Sequence, residues 1–138
     1  MNEHVTYNTE YKILICHQHK YGIPPDGILR HFRDFHKAIP FATRKAIGDY
    51  SKTLDLATLD QVTTPEGAVE PVPGLTVVNG FRCQYTDCSE LRSTITSMKQ
   101  HCWEAHKWTS ATGGMWINQA FQTLFDGTRR KYVVTESV

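Results

Sequence analysis

No stretch of this sequence is apolar over the length that a membrane-spanning helix needs, and Met1 to His4 lack the basic start of a secretory signal. The sequence also lacks an excess of either charge, because 15 Lys and Arg residues against 14 Asp and Glu residues give a net charge of +1 at pH 7. These absences argue against a membrane partner and against capture of nucleic acid by charge alone. We expect an intracellular protein in a reducing compartment, with the nucleus open to it.

The motifs of common enzymes are also missing. The sequence contains neither the HExxH pattern of zinc proteases nor the HxE and CxxC pair of zinc deaminases. It has no glycine-rich phosphate loop and no evident pairing of a nucleophile with a base. These absences favour a protein that is not an enzyme and that has no small-molecule substrate.

Cysteine and histidine, in contrast, are present in a spacing that indicates a metal site. The segment from Cys83 to His106 reads C-x4-C-x12-H-x4-H, the spacing of a ββα zinc finger, in which two thiolates and two imidazoles surround zinc. Apolar Phe81 and Met98 stand where so small a fold needs them. The predicted zinc ligands of this stronger site, called site 2, are Cys83, Cys88, His101 and His106.

The fourth cysteine, a turn and the disulfide alternative also have to be considered for this segment. Cys102 is adjacent to a ligand on the predicted helix, where successive side chains point about 100° apart, so we expect a buried apolar group and not a ligand. Asn79-Gly80 lies between apolar residues and predicts a hairpin turn. Two disulfides would also account for the four cysteines, but a reducing compartment and the paired histidines favour zinc thiolates.

Residues 16–36 imitate this pattern imperfectly, as C-x2-H-x11-H-x4-H. The ligands of this second candidate, called site 1, are Cys16, His19, His31 and His36. Imidazole can replace a thiolate, but three imidazoles carry less negative charge and compete with protons, so we expect weaker and more acid-sensitive zinc binding. His17 is a competing ligand. The alternative is a degenerate finger that apolar packing holds together without metal.

These patterns predict a small, zinc-stabilised α+β fold. Two ββα-type modules are joined by a helical and proline-rich linker and followed by a helix and a short strand. The helix is predicted over residues 116–125, where apolar residues recur at spacings of three and four, and the strand begins at Tyr132. The predicted segments are a degenerate finger at 11–37, a helix and linker at 38–74, a zinc finger at 75–107 and a C-terminal segment at 108–138.

Short pieces of the sequence, in this order and spacing, resemble the OrsD-like fungal proteins. The pieces are Leu14 to Cys16, Tyr21 to Pro25, His31 to Lys37, Pro73 to Leu75, Gly80 to Cys83, Lys99 to Cys102, Gln122 to Phe125 and Tyr132 to Val134. The resemblance implies two C2H2-type zinc-binding segments, which correspond to sites 1 and 2. The chain departs from that pattern at His19, where a cysteine is usual. Members are often much longer, and the family name implies a fungal origin but no biochemical activity.

Three functions remain open at this point. We favour a zinc-stabilised interaction module that binds a protein partner and binds nucleic acid only weakly, with Trp108, Trp116 and Phe121 as its apolar contact surface. A sequence-specific DNA-binding regulator is the alternative, although the first finger would offer only Arg30 to a base edge. A zinc enzyme is the third, with water replacing a ligand at site 1. No nucleic-acid-binding residue is assigned.

Overall fold

The computed structural model describes residues 3–62, 64, 67–125 and 131–135. In this part of the chain, seven strands and three helices form a mixed α+β fold. The strands are β1 (Val5–Asn8), β2 (Ile13–Cys16), β3 (Gly22–Ile23), β4 (Val77–Cys83), β5 (Leu91–Arg92), β6 (Trp116–Phe125) and β7 (Lys131–Val134). The helices are α1 (Ile28–Phe35), α2 (Phe41–Ser51) and α3 (Ile95–His106).

All of these strands belong to one sheet, with the order β1-β2-β3-β6-β4-β5 and with β7 paired to β6. Strands β2 and β3 form an antiparallel pair that precedes α1, and β4 and β5 form an antiparallel pair that precedes α3. Strand β6 joins the two groups. It pairs antiparallel with β4 from Trp116 to Gln122 and meets β3 where Phe125 lies beside Gly22.

The sheet confirms the α+β class but does not confirm two separate zinc-finger modules. Each Cys/His segment does form a strand pair followed by a helix, yet both strand pairs are parts of the same sheet. The segment boundaries given by the sequence therefore stay predictions. What the structure adds is a direct backbone connection between the two halves through β6.

The helix predicted over residues 116–125 is wrong, because these residues form β6. Ala120, Phe121 and Gln122 are consecutive buried residues, and Leu124 and Phe125 follow them into the core. A strand that is covered on both faces carries a nearly continuous apolar run, and such a run also matches spacings of three and four. The closing strand predicted from residue 132 is confirmed as β7.

The hairpin turn predicted at Asn79-Gly80 is also wrong. Both residues lie inside β4, and both pair with β6 in a continuous register. Glycine is needed here for close packing, since a Cβ atom on Gly80 would lie 2.5 Å from the carbonyl oxygen of Arg92 and 2.6 Å from the ring of Phe121. The actual hairpin joins β4 to β5 through residues 84–90.

Helices α1 and α2 both begin shortly after a proline. A short 3-10 turn at Pro25–Gly27 leads into α1, and Pro40 immediately precedes α2. Proline suits these positions because the first turn of a helix has no partner for its backbone N–H groups. Helix α2 ends at Ser51.

Apolar side chains form three clusters instead of one large core. In β2, Ile13 and Ile15 face one cluster while Leu14 faces another, as the alternation of a strand requires. The first cluster also contains Ala57, Val62, Val72 and Leu75, and the second contains side chains of α1 and α2. The third is small and consists of buried Met98 and neighbours around site 2.

The proline-rich segment predicted as a linker packs against the sheet where it is described. Gln122 is fully buried, and its side-chain amide is bonded to the backbone of this segment. Its Oε1 accepts from the N–H of Val72 at 2.7 Å, and its Nε2 donates to the carbonyls of Val72 at 2.9 Å and Leu75 at 3.0 Å. One side chain of β6 therefore replaces a neighbouring strand for residues 72–75.

No helix in the described part of the chain is long and apolar enough to cross a membrane.

We predict that Gln122→Met, which keeps the side-chain volume, lowers the free energy of unfolding by about 2–4 kcal/mol. The substitution leaves the N–H of Val72 and the carbonyl of Leu75 without partners, while the carbonyl of Val72 keeps the N–H of Leu75. Each unpaired buried group costs about 1–3 kcal/mol. Urea unfolding of the metal-loaded protein measures the change. Gln84→Met is the matched control, because Gln84 is exposed. Equal stability of the two variants would contradict the role assigned to Gln122.

Candidate metal centres

Site 2 brings together all four side chains that the sequence predicted for it. The ligand atoms of Cys83, Cys88, His101 and His106 lie within 4.8 Å of one another. The Sγ of Cys83 is 3.5 Å from the Nε2 of His106, and the Sγ of Cys88 is 3.4 Å from the Nε2 of His101. Zinc–sulfur and zinc–nitrogen bonds at tetrahedral angles separate sulfur from nitrogen by about 3.5 Å, so these distances fit a zinc ion.

Local structure explains why these residues converge. Cys83 ends β4, and its N–H donates to the carbonyl of Glu90 across the hairpin, which turns the loop back on itself. Asp87 takes a left-handed backbone conformation in that loop, with φ of 60°. Helix α3 begins at the Thr94 cap, whose side chain accepts from the N–H of Ser97. Its last turns then present both histidines to the loop.

Site 1 also gathers its four predicted residues. The ligand atoms of Cys16, His19, His31 and His36 lie within 4.8 Å of one another. The Nε2 of His36 is 3.4 Å from the Sγ of Cys16 and 3.1 Å from the Nε2 of His31. The backbone N–H of His19 donates to the same sulfur at 3.5 Å.

His19 supplies the strongest test of whether a metal fits site 1. Its Nδ1 atom is buried and has no hydrogen-bond partner among the described residues. A buried polar atom without a partner is unfavourable, and a cation at the centre of the cluster would satisfy it. The residues present therefore fit a metal ion, with His19 as the fourth ligand.

His17, the competing ligand, lies outside both clusters. Its Nε2 is 2.5 Å from the Oγ1 of Thr6, and its Nδ1 is 3.0 Å from the carbonyl oxygen of Glu3. Both ring nitrogens are thus engaged by the chain around β1. His17 follows the last residue of β2, and these two contacts hold its side chain against β1 and away from site 1.

Burial shifts the pKa values of several ligands towards their neutral forms. Burial, followed by the neighbouring His36 and His19, lowers the pKa of His31 to about 4, and burial also lowers the pKa of His36 and of His101. Burial raises the pKa of the Cys83 thiol to about 11. At neutral pH these three imidazoles are uncharged and available to a metal, whereas Cys83 keeps its proton until a cation displaces it.

The two clusters differ in the charge they would place around zinc. Two thiolates neutralise Zn²⁺ at site 2, and one thiolate leaves a charge of +1 at site 1. This difference keeps site 1 as the predicted weaker site. The lowered pKa values of His31 and His36 move proton competition at their rings to lower pH than the sequence suggested.

Two residues near site 2 complete its surroundings. Cys102 is fully buried beside Cys83 and Met98 and is not part of the four-residue cluster, in line with its predicted apolar role. The ring of Tyr85 stacks on His106, with centroids 3.9 Å apart and planes 5° from parallel. The sequence analysis missed Tyr85, although an aromatic residue two positions after the first ligand was a usable signal.

The apolar partner surface predicted at three aromatic residues is wrong. Phe121 is buried with an exposed fraction of 3%, and Trp108 and Trp116 are half-buried and pack against each other. They contribute to the cores instead. The large apolar side chains that are exposed lie mainly on the helices, and they include Leu29, Phe35, Phe41 and Trp103.

The fold and the two clusters define a small α+β domain with two Cys/His groups that could each hold a metal ion. A family model described as Orsellinic acid/F9775 biosynthesis cluster protein D, or OrsD, matches residues 3–107, which is most of the chain and includes both clusters. The chain belongs to the OrsD family, as its resemblance indicated. The family description does not itself specify a zinc-finger type.

A curated relative supports the same assignment. The chain is 32% identical over 126 residues to the Orsellinic acid/F9775 biosynthesis cluster protein D of Emericella nidulans. The match covers 91% of this chain but only 24% of that protein, so the chain spans about a quarter of its length. Comparison with solved protein structures found no match.

We predict that Cys83→Ala lowers the zinc content from about two ions per chain to about one, because a structural site needs all four of its ligands. Cys102→Ala is the matched control, since it removes an equally buried thiol from the same cluster. This control should leave the zinc content unchanged. Elemental analysis of metal-loaded proteins gives the result, and loss of zinc from the control would show that the ligand set is wrong.

We predict that zinc affinity decreases when the pH is lowered from 8 to 7. The expected decrease is about 100-fold at site 2 and about tenfold at site 1. Zinc displaces two thiol protons at site 2 but one at site 1. Cys16→Ala isolates site 2 and Cys83→Ala isolates site 1 for chelator competition. Equal slopes would contradict the ligand sets.

The metal-free protein should also respond to pH. The pKa of His31 is about 4 in the folded chain and about 6.5 in the unfolded chain, so protonation favours unfolding. The free energy of unfolding is therefore expected to be highest above pH 6.5 and to decrease towards pH 4. His31→Gln should flatten this decrease in urea unfolding, whereas the same change at His17, which is half-buried and lies outside both clusters, should not.

Proposed function

We propose that the chain is a zinc-stabilised, non-enzymatic module that binds a partner protein. The observation that carries this proposal is the closure of both clusters, each of which offers four protein ligands. Structural zinc sites are closed in this way, whereas a catalytic zinc keeps one position for water or substrate. His19, which completes site 1, is what removes the open position that an enzyme would need.

Zinc would contribute stability that the small apolar cluster at site 2 does not supply. The cluster at site 2 contains only three buried residues, Cys83, Met98 and Cys102, and one of these is itself a ligand. So few contacts do not offset the conformational entropy of ordering the hairpin and helix. Binding of zinc would supply that free energy, which makes the shape of the surface around each site dependent on metal.

The alternative, a sequence-specific DNA-binding regulator, has less support. In a groove-reading finger the base-contacting positions of α3 would be Thr94, Ser97 and Gln100. Thr94 caps the helix, Ser97 accepts a hydrogen bond from Arg92, and Gln100 donates to Glu104. All three side chains are thus engaged within the protein, and the net charge of +1 leaves little for counterion release.

Family membership sets a context for the module. The relative's description names it as a protein of a biosynthesis cluster, and the present chain corresponds to about a quarter of that protein. We propose that this quarter supplies an interaction surface and not the chemistry of a biosynthetic step. The proposal accords with the lack of an enzyme motif in the sequence.

We predict that the cobalt-substituted protein shows tetrahedral coordination that azide does not change. In a closed site four protein ligands occupy all the positions around the metal, so azide has nowhere to bind. In an open catalytic site azide would take the free position and change the visible absorption of cobalt. His19→Ala is the positive control, because it opens one position at site 1. A response of the unmodified protein to azide would overturn the non-enzymatic proposal in favour of the enzyme.

A further inference from the structure

A groove of about 990 Å³ separates the two metal centres. Its base is the sheet, where Val78, Thr123 and Tyr132 line it from three neighbouring strands. One wall is the loop of site 1, which contributes His19 and Lys20. The opposite wall is the site 2 loop with β5 and the start of α3, and its lining residues are Asp87, Cys88, Ser89, Glu90, Leu91, Arg92, Ser93 and Ser97. Each wall therefore includes one predicted ligand of its own centre, His19 for site 1 and Cys88 for site 2.

The two walls are built alike but carry opposite charges. Lys20 lies four residues after Cys16, and Asp87 lies four residues after Cys83. Both have a left-handed backbone with φ of 60°, and both line the groove. This conformation is common for aspartate but unfavourable for lysine, so the loop of site 1 holds Lys20 at a cost in free energy.

The remaining charges of the groove balance one another. Arg92 donates to Glu90 at 3.0 Å, which pairs the other two ionised side chains of the lining. Within the described residues, no salt bridge engages Lys20 or Asp87. The groove therefore presents one free positive charge on one wall and one free negative charge on the other.

This chemistry narrows the class of ligand. A nucleic acid needs a positively charged channel, and the charges of this lining cancel. Sites for compact organic molecules are mainly apolar, whereas hydroxyl groups prevail here, from Thr76, Ser89, Ser93, Ser97 and Thr123. An extended polypeptide matches a polar groove with this lining, because its backbone offers donors and acceptors to hydroxyl groups and its side chains carry both signs of charge.

We propose that this groove binds an extended segment of a partner protein, which places an acidic side chain at Lys20 and a basic side chain at Asp87. The proposal rests on the proposed function, since the metal ions hold the two walls in place. It adds the location of the binding surface and the charge pattern of the partner.

Selection of short random peptides displayed on phage tests the proposal with the zinc-loaded protein. We expect enrichment of peptides that carry one acidic and one basic residue in a fixed order. The exchange variant Lys20→Asp with Asp87→Lys should select the reverse order. It keeps one lysine and one aspartate in the left-handed backbone conformation that these two residue types already adopt in this chain. A synthetic peptide selected by the unmodified protein should bind this variant at least about tenfold more weakly.

Two further variants complete the design. Lys20→Gln should abolish only the preference for an acidic residue, which keeps the test valid if the exchange variant does not fold. Lys45→Asp with Asp49→Lys exchanges charges on the exposed side of α2 and should select the same peptides as the unmodified protein.

Zinc content, measured for every variant, separates the two proposals. Full zinc content together with no peptide enrichment, or with enrichment that the exchange leaves unchanged, would overturn the groove proposal alone. Tighter binding of short single-stranded DNA than of any peptide would overturn it too. Absence of zinc from the unmodified protein would instead overturn the proposed function.

Discussion

Backbone pairing along β6 is the interaction on which both metal centres depend. Its first residues lie beside Cys83 at the end of β4, and its last residue lies beside Gly22 in the strand pair of site 1. A Cβ atom on Gly22 would lie 2.3 Å from the carbonyl oxygen of Leu124, so only glycine permits this approach. Because both loops are attached to one strand, the distance between the centres is set by the sheet and not by a flexible linker.

Burial of the eight ligands is the second constraint on the fold. Thiols and imidazoles at these positions are largely removed from water, and the raised pKa of Cys83 and the lowered pKa of His31 show how strongly charge is disfavoured there without a cation. A zinc ion bound to all four groups of a cluster would reverse this penalty. The three modest apolar clusters, which share the rest of the stability, can then remain small.

Separation of the two centres leaves a surface between them that neither needs for its own fold. Helices α1 and α2 cover the sheet at site 1 and α3 covers it at site 2, so the strip between them stays open as the groove. Lys20 lies in the loop on one side of that strip and Asp87 in the loop on the other, so a bound peptide would have one preferred orientation. Zinc at both sites would hold the two walls of the proposed binding surface in place. A partner would then bind without ordering a loop, which would otherwise cost free energy.

The sequence by itself predicted the two groups of four Cys and His residues that the fold brings together, and the helix that follows each loop. Spacing along the chain decides which Cys and His can converge at a tetrahedral centre, and proline and threonine positions decide where helices begin. These are local properties, so they can be read without knowledge of the partners in space. The competing His17 shows the limit, because its exclusion depends on contacts with the distant β1.

Tertiary structure alone decided β6, the place of Gly80 and the bonding of Gln122. An apolar run of ten residues is compatible with a helix or with a strand buried on both faces, and only the sheet on either side selects the strand. Asn-Gly favours a turn locally, yet pairing with β6 and the nearness of Arg92 keep it extended. Buried Gln122 looks unfavourable until the backbone of residues 72–75, which is remote in sequence, satisfies its amide. In each case a contact between distant parts of the chain outweighs a local preference that is worth less free energy.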